Sequence, residues 1–148
     1  MQVLDALDFV QSELGSVPHF KGLVRLVHDE DELIKAAIAG TEVLAGVIYE
    51  GVRPSESDSG KSTHKVGVSK ELQFSVCVLY RQDKLTQVNV LKNSIKYLDA
   101  ARQALLDRRG PNNHFFNFRE ELGGSVEKGL VVWVQRWALP VQLVRKSC

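Results

Sequence analysis

Histidines, clustered carboxylates, two cysteines and one glycine-lysine-serine run are the groups in this sequence with the chemistry to act on a ligand. His19, His28, His64 and His114 fall in unlike segments. None has a neighbour at metal-ligand spacing, and none stands beside a serine or cysteine in a nucleophile turn. The densest acidic run is Asp29-Glu30-Asp31-Glu32. Adjacent carboxylates point in different directions, so the run suits the positive end of a helix dipole better than a metal ion, with Glu32 three residues after an Asp29 cap. Gly60-Lys61-Ser62-Thr63 imitates the end of a phosphate-binding loop, but Ser55 stands where its first glycine belongs. A strand follows it, where the chemistry needs a helix whose amino end faces the phosphates. Cys77 lies in a strand-like run and reads as a small core or semi-buried residue, Cys148 is expected to be free, and two thiols make neither a disulfide scaffold nor a zinc site. No catalytic residue, metal site or cofactor is expected, and a non-enzymatic role follows.

The elements that would position side chains are legible from periodicity. The chain is organised around Thr86 to Arg109, a helix with Val88, Leu91, Ile95, Leu98, Ala101 and Leu105 on one face. Lys92, Lys96, Asp99, Gln103 and Arg108 lie mainly off that stripe. Arg108 and Arg109 favour the negative end of the dipole, Gly110 offers a left-handed cap, and Pro111 cannot continue the helix. At roughly 1.5 Å per residue the rod is about 35 Å long, enough to cross a small sheet.

Before it, Gln2 to Leu14 is an amphipathic helix on Val3, Leu7, Val10 and Leu14, ended by Gly15 and Pro18. Phe20 to Val27 reads as a short strand, with Val24 and Leu26 on one face and Leu23, Arg25 and Val27 on the other. The acidic run then opens a helix to about Ala39. Thr41 to Val52 is nearly continuous in apolar residues, which predicts a strand covered on both faces. Lys70 to Tyr80 alternates, with Leu72, Phe74, Val76, Val78 and Tyr80 against Glu71, Gln73, Ser75 and Cys77, the pattern of a half-exposed strand. The two strands form a hairpin whose connection, about residues 53–69, is polar and serine-rich and is expected to be mobile. After the long helix come a strand over His114 to Phe118, a turn at Gly123-Gly124, and a last strand from Lys128 to Val144. Val132 and Val134 take one face of it, Val131, Trp133, Gln135 and Trp137 the other, and Pro140 marks a sheet edge or a break. The fold class expected is α+β: a mixed, mostly antiparallel sheet flanked by helices, with a long helix packed on it and a long hairpin loop.

The totals set outer limits. A chain of 148 residues fits one domain spanning 1–148, and 44% hydrophobic with 25% charged residues is a globular composition. Lysine plus arginine outnumber aspartate plus glutamate by only 19 to 18, so nothing announces nucleic acid or a membrane surface. The start, MQVLDALDFV, lacks the basic flank and apolar run of a signal peptide, and no apolar stretch is long enough for a membrane helix. A cytoplasmic protein, or one belonging to an assembly built there, is expected.

Helix, strand, short helix, strand, long loop, strand, long helix and a closing pair of strands, ending in VVWVQRWALPV, resembles the tail terminator (tail completion) proteins of tailed bacteriophages, those of contractile-tailed phages included. The resemblance covers nearly the whole chain and rests on size and element order, with no diagnostic short motif. It implies a homo-oligomeric ring of six copies that caps the tail tube, ends tail elongation and provides the docking surface for the head-tail connector. It also implies a place at the neck of the virion after assembly in the host cytoplasm. The implied partners are further copies of the chain, the tail tube protein, the head-side connector or neck protein and, in a contractile tail, the sheath; no membrane is involved, and DNA would be only passing cargo. Candidate interface residues are Arg53, Lys61, His64 and Lys65 in the loop, and Trp133 and Trp137, which serve either as core or as a subunit contact. The alternatives are another neck or head-completion protein, and a small ligand-binding or enzymatic α+β domain with its site under the loop.

Overall fold

The computed structural model describes residues 2–37, 42–54, 70–81, 87–127 and 130–142, with the side chains of 87–91 and 124–127 left aside. Five strands form one sheet in the order β1-β2-β3-β5-β4: β1 (Val24–Val27), β2 (Val43–Pro54), β3 (Lys70–Arg81), β4 (Asn117–Glu127) and β5 (Leu130–Val141). β1 runs parallel to β2, and every other pairing is antiparallel. Helices α1 (Val3–Gly15), α2 (Glu30–Ala36) and α3 (Gln87–Leu105) complete an α+β fold, with a 3-10 turn at Pro18–Phe20 after α1. The mixed, mostly antiparallel sheet flanked by helices is the architecture that the periodicities predict.

Alternation along the strands sorts the apolar residues into two cores. On one face Val43, Ala45, Val47, Leu72, Phe74, Val76, Val78, Trp137 and Leu139 meet Leu7, Val10 and Leu14 of α1 and Leu98, Ala101 and Leu105 of α3. On the other face Leu44, Ile48, Cys77, Leu79, Val132 and Val134 meet Leu33 of α2 and Val27. The near-continuous apolar run of β2 is thus explained by cover on both sides. Gly46 marks the close approach of α2: a Cβ there would lie 3.0 Å from Leu33 Cδ1 and 3.0 Å from Val27 Cγ2. The start of α2 follows its sequence: Asp29 Oδ1 accepts from the Glu32 backbone N–H at 2.9 Å, a cap worth about 1 kcal/mol.

Several expectations are corrected. The long helix begins at Gln87 and stops at Leu105, four residues before Arg109, and the left-handed residue beyond it is Asp107 (φ 58°), not Gly110. Gly110 is buried instead where a side chain would strike Leu139 at 3.1 Å. Ile95 is 39% exposed, and Ser94 and Tyr97 take its expected place on the buried face. α2 ends at Ala36, short of Ala39, and β1 begins at Val24, after a backbone turn with Lys21 and Gly22 at positive φ. The polar side of β3 is covered, with Glu71, Ser75 and Cys77 all buried. Period two reports which side chains share a face, not whether something lies on it. Gly123 and Gly124 do not turn the chain but lie inside β4, where the register to β5 shifts between Gly123 and Val126. β5 is an interior strand, yet β4 pairs with it only from Leu130 as far as Ala138, so at Pro140 that flank has no strand and the Pro140 carbonyl accepts from Asn112 Nδ2 at 2.7 Å.

Candidate functional site

The ladder of the β2–β3 hairpin runs past the apolar cores to Pro54, which pairs with Lys70. Arg53 is therefore a strand residue opposite Glu71, exposed, and not part of a loop. A bulge between Tyr49 and Gly51, with Gly51 at φ 117°, turns this end of β2 and leaves Glu50 beside Ser75, whose hydroxyl donates to Glu50 Oε1 at 2.9 Å. A second bulge, between Phe118 and Glu120 on β4, makes Arg119 the extra residue. Its guanidinium reaches past β5 to the nearly buried carboxylate of Glu71 on β3. Directly across β4 and β5, Arg136 Nη1 donates to Glu120 Oε1 at 2.7 Å. Glu50, Arg53, Glu71, Arg119, Glu120 and Arg136 thereby line one cleft of about 310 Å³.

A second, more open cleft of about 360 Å³ adjoins it through the shared Glu50, between the start of α2 and β2. Asp29, Glu30, Asp31 and Tyr49 line it, and all four are exposed. Asp29 is engaged as the cap, and Glu32 Oε2 accepts from the His28 backbone N–H at 2.6 Å. One end of the sheet thus carries a charged strip, acidic beside α2 and arginine-bearing over β5 and β4.

The remaining expected site residues scatter. Lys61, His64 and Lys65, with the phosphate-loop imitation around them, lie outside the described residues. Trp137 is 1% exposed: its ring meets Phe118 edge-on with centroids 5.2 Å apart, and its Nε1 donates to Gln135 Oε1 at 3.4 Å. It stands at the floor of the first cleft. Trp133 is half-buried over Gly123, and its Nε1 donates to Ser94 Oγ at 3.1 Å.

The histidines do not converge. His19 stands edge-on to Tyr97, while His28 and His114 are exposed on separate loops. Among the described residues no three His, Cys, Asp or Glu groups are placed to hold a metal. Burial, with Glu30 adding to it, pushes the Cys77 thiol up to about 12, which removes it as a nucleophile near neutral pH.

One polar cluster escaped the sequence. Gln135, fully buried under α3, donates to the Leu98 carbonyl at 3.0 Å and to Glu121 Oε1 at 2.9 Å. Arg102 of α3 in turn holds both oxygens of Glu121, at 3.1 and 3.2 Å, and also pairs with Asp99. The available signal was a glutamine on the tryptophan-bearing face of β5, and it points to fastening of α3 rather than to reaction chemistry.

Comparisons with known proteins bear on the fold. No family model matches the chain, and no curated protein matches its sequence significantly. Among solved structures, a chain of the particle described as "Virion of native gene transfer agent (GTA) particle" matches 95% of this chain and 97% of its own at a TM-score of 0.64, with 14% of residues identical. At that identity, what the two chains have in common is the fold, from end to end.

Proposed function

We propose that this chain is a structural protein of a phage-type virion, and within it a tail terminator: a ring subunit that caps the tail tube, ends its elongation and meets the head-side connector. The observation that carries the reading is the end-to-end likeness to a chain of a gene transfer agent virion, a phage-like particle, with almost nothing left over on either side. The element order of the sequence supports the terminator role in particular. The clefts agree with a contact protein: charged side chains line both of them over an open sheet end, whereas small-ligand sites are mostly apolar and enclosed. A ring requires two different surfaces on each copy that fit each other and close. Arg53 at the end of the hairpin, with Lys61, His64 and Lys65 beyond it, is the proposed contact with the tube, sheath or connector.

Native mass across a concentration series, with negative-stain imaging, tests this reading. The expected species is a closed ring of about six copies with an open lumen, formed alone or on adding tail tube protein. A monomer that tube protein fails to recruit would remove the terminator reading. A ring that binds only the head-side connector would move the chain to the head side of the same joint.

A further inference from the structure

We propose that the arginine-bearing cleft over β5 and β4 receives the acidic opening of α2, Glu30 and Asp31, from a second copy of this chain. The inference rests on the ring reading above and names the contact that would close it.

The first argument is charge left unspent. Glu30 and Asp31 are exposed and make no ion pair among the described residues, and the same holds for Arg53. Arg119 and Arg136 each hold one carboxylate, yet their side chains are 40% and 54% exposed. A guanidinium carries five N–H donors in a planar fork, so each keeps donors for a second carboxylate.

The second argument is placement. The acidic turn sits beside Ile48 and Tyr49 of β2, while Arg136 and Arg119 stand on β5 and β4, with β3 between, and Arg53 stands further along β2. Within one copy no ion pair joins the acidic turn to these arginines among the described residues. The cleft of about 310 Å³ carries Arg53, Arg119 and Arg136 beside Glu50, Glu71 and Glu120, and since Arg119 already holds Glu71 and Arg136 holds Glu120, Arg53 is the cation there without an ion pair among the described residues. The ring reading requires the heterologous form of this contact, in which each copy gives its acidic turn to one neighbour and its cleft to the other; a reciprocal exchange between two copies would stop at a dimer, which native mass distinguishes. Repeated, the heterologous form yields a closed ring or a filament. Ion pairs at the rim of such a contact set register and association rate, and they weaken with salt.

Two variants test it by native mass and sedimentation. One carries Glu30→Lys with Asp31→Lys; the other carries Arg53→Glu with Arg136→Gln. All four side chains are exposed, and thermal unfolding checks that each variant is folded. Each variant alone is expected to need at least about tenfold more protein than the parent to reach half assembly. An equal mixture is expected to recover the parent's behaviour, because every lysine turn then meets an altered cleft and every acidic turn meets an intact one.

A parent ring that either variant matches unaided, or that the mixture fails to restore, overturns this contact while leaving the ring reading in place. If the variants assemble normally but lose binding to tail tube protein, the strip serves a different partner and the proposal is wrong. A parent that stays monomeric even with tube protein overturns the contact and the ring together.

Discussion

Tyr97 shows how a single side chain on α3 ties stability to pH. Its hydroxyl donates to Glu42 Oε1 at 3.3 Å, and its ring lies against Tyr80 with centroids 5.4 Å apart. Burial first, then the Glu42 carboxylate, pushes the phenol up to about 12. An unfolded tyrosine titrates near 10, so the folded chain favours the neutral form. The contribution is therefore complete below about pH 10 and is lost as pH rises from there through about 12. Phenolate absorbance should show a step near pH 12, and Tyr97→Phe should remove that step and flatten the fall in stability over the same window. At this scale the sequence was informative about apolar residues and poor on polar ones. Cys77 reads as core or semi-buried by type, and it is fully buried. Glu71 and Ser75, in the same strand, read as exposed and are buried. Their cover comes from residues such as Arg119, which lies 48 positions from Glu71, and no local pattern announces such a partner.

Among the elements, α3 is held by polar bonds as well as by its apolar stripe. Gln135 is the pivot, bonded to the helix carbonyl of Leu98 and to Glu121, which Arg102 also holds. Gln135→Leu keeps the volume but strands these partners, and it should lower stability by about 1–3 kcal/mol. Ser94→Ala, which removes the acceptor of the Trp133 indole, should cost about 1 kcal/mol. Denaturant midpoints at an unchanged slope would measure both; equal losses would show that Gln135 is not the pivot. Element types were legible because each strand and helix repeats its period over several residues. Their ends were not. Gly110 looks like a cap by type, but the chain turns earlier, at Asp107, because Gly110 is needed where Leu139 and Phe116 close in. Gly123-Gly124 looks like a turn by type, but Gly123 serves instead as the bare patch that the Trp133 ring covers. Glycine announces that space or freedom is needed, and only tertiary packing says which.

For the whole molecule, the strand order β1-β2-β3-β5-β4 puts the last strand inside and the next-to-last at an edge. The sequence gives the closing pair as neighbours but not which of them faces β3. That choice decides the site, because it sets Arg136 two strands from Glu50 and leaves Arg119 to cross over β5. Three of the expected contact residues, Lys61, His64 and Lys65, lie in a segment outside the described residues; the hairpin that carries it is well defined. β2 and β3 stay in register as far as Pro54 and Lys70.

That register makes the hairpin a socket. Residues 55–69 leave and re-enter the sheet at one paired rung, so their length and composition can change without disturbing the ladder below. On the proposed reading the segment would be a cassette, to be matched to a particular tube or connector while the fold stays fixed. Replacing it with a two-residue Asn-Gly turn should shift stability by no more than about 1–2 kcal/mol and leave self-assembly intact, while abolishing recruitment to tail tubes. Melting and tube-binding measurements on that one variant would separate the task proposed for the body, holding copies together, from the one proposed for the cassette, recognising what they close.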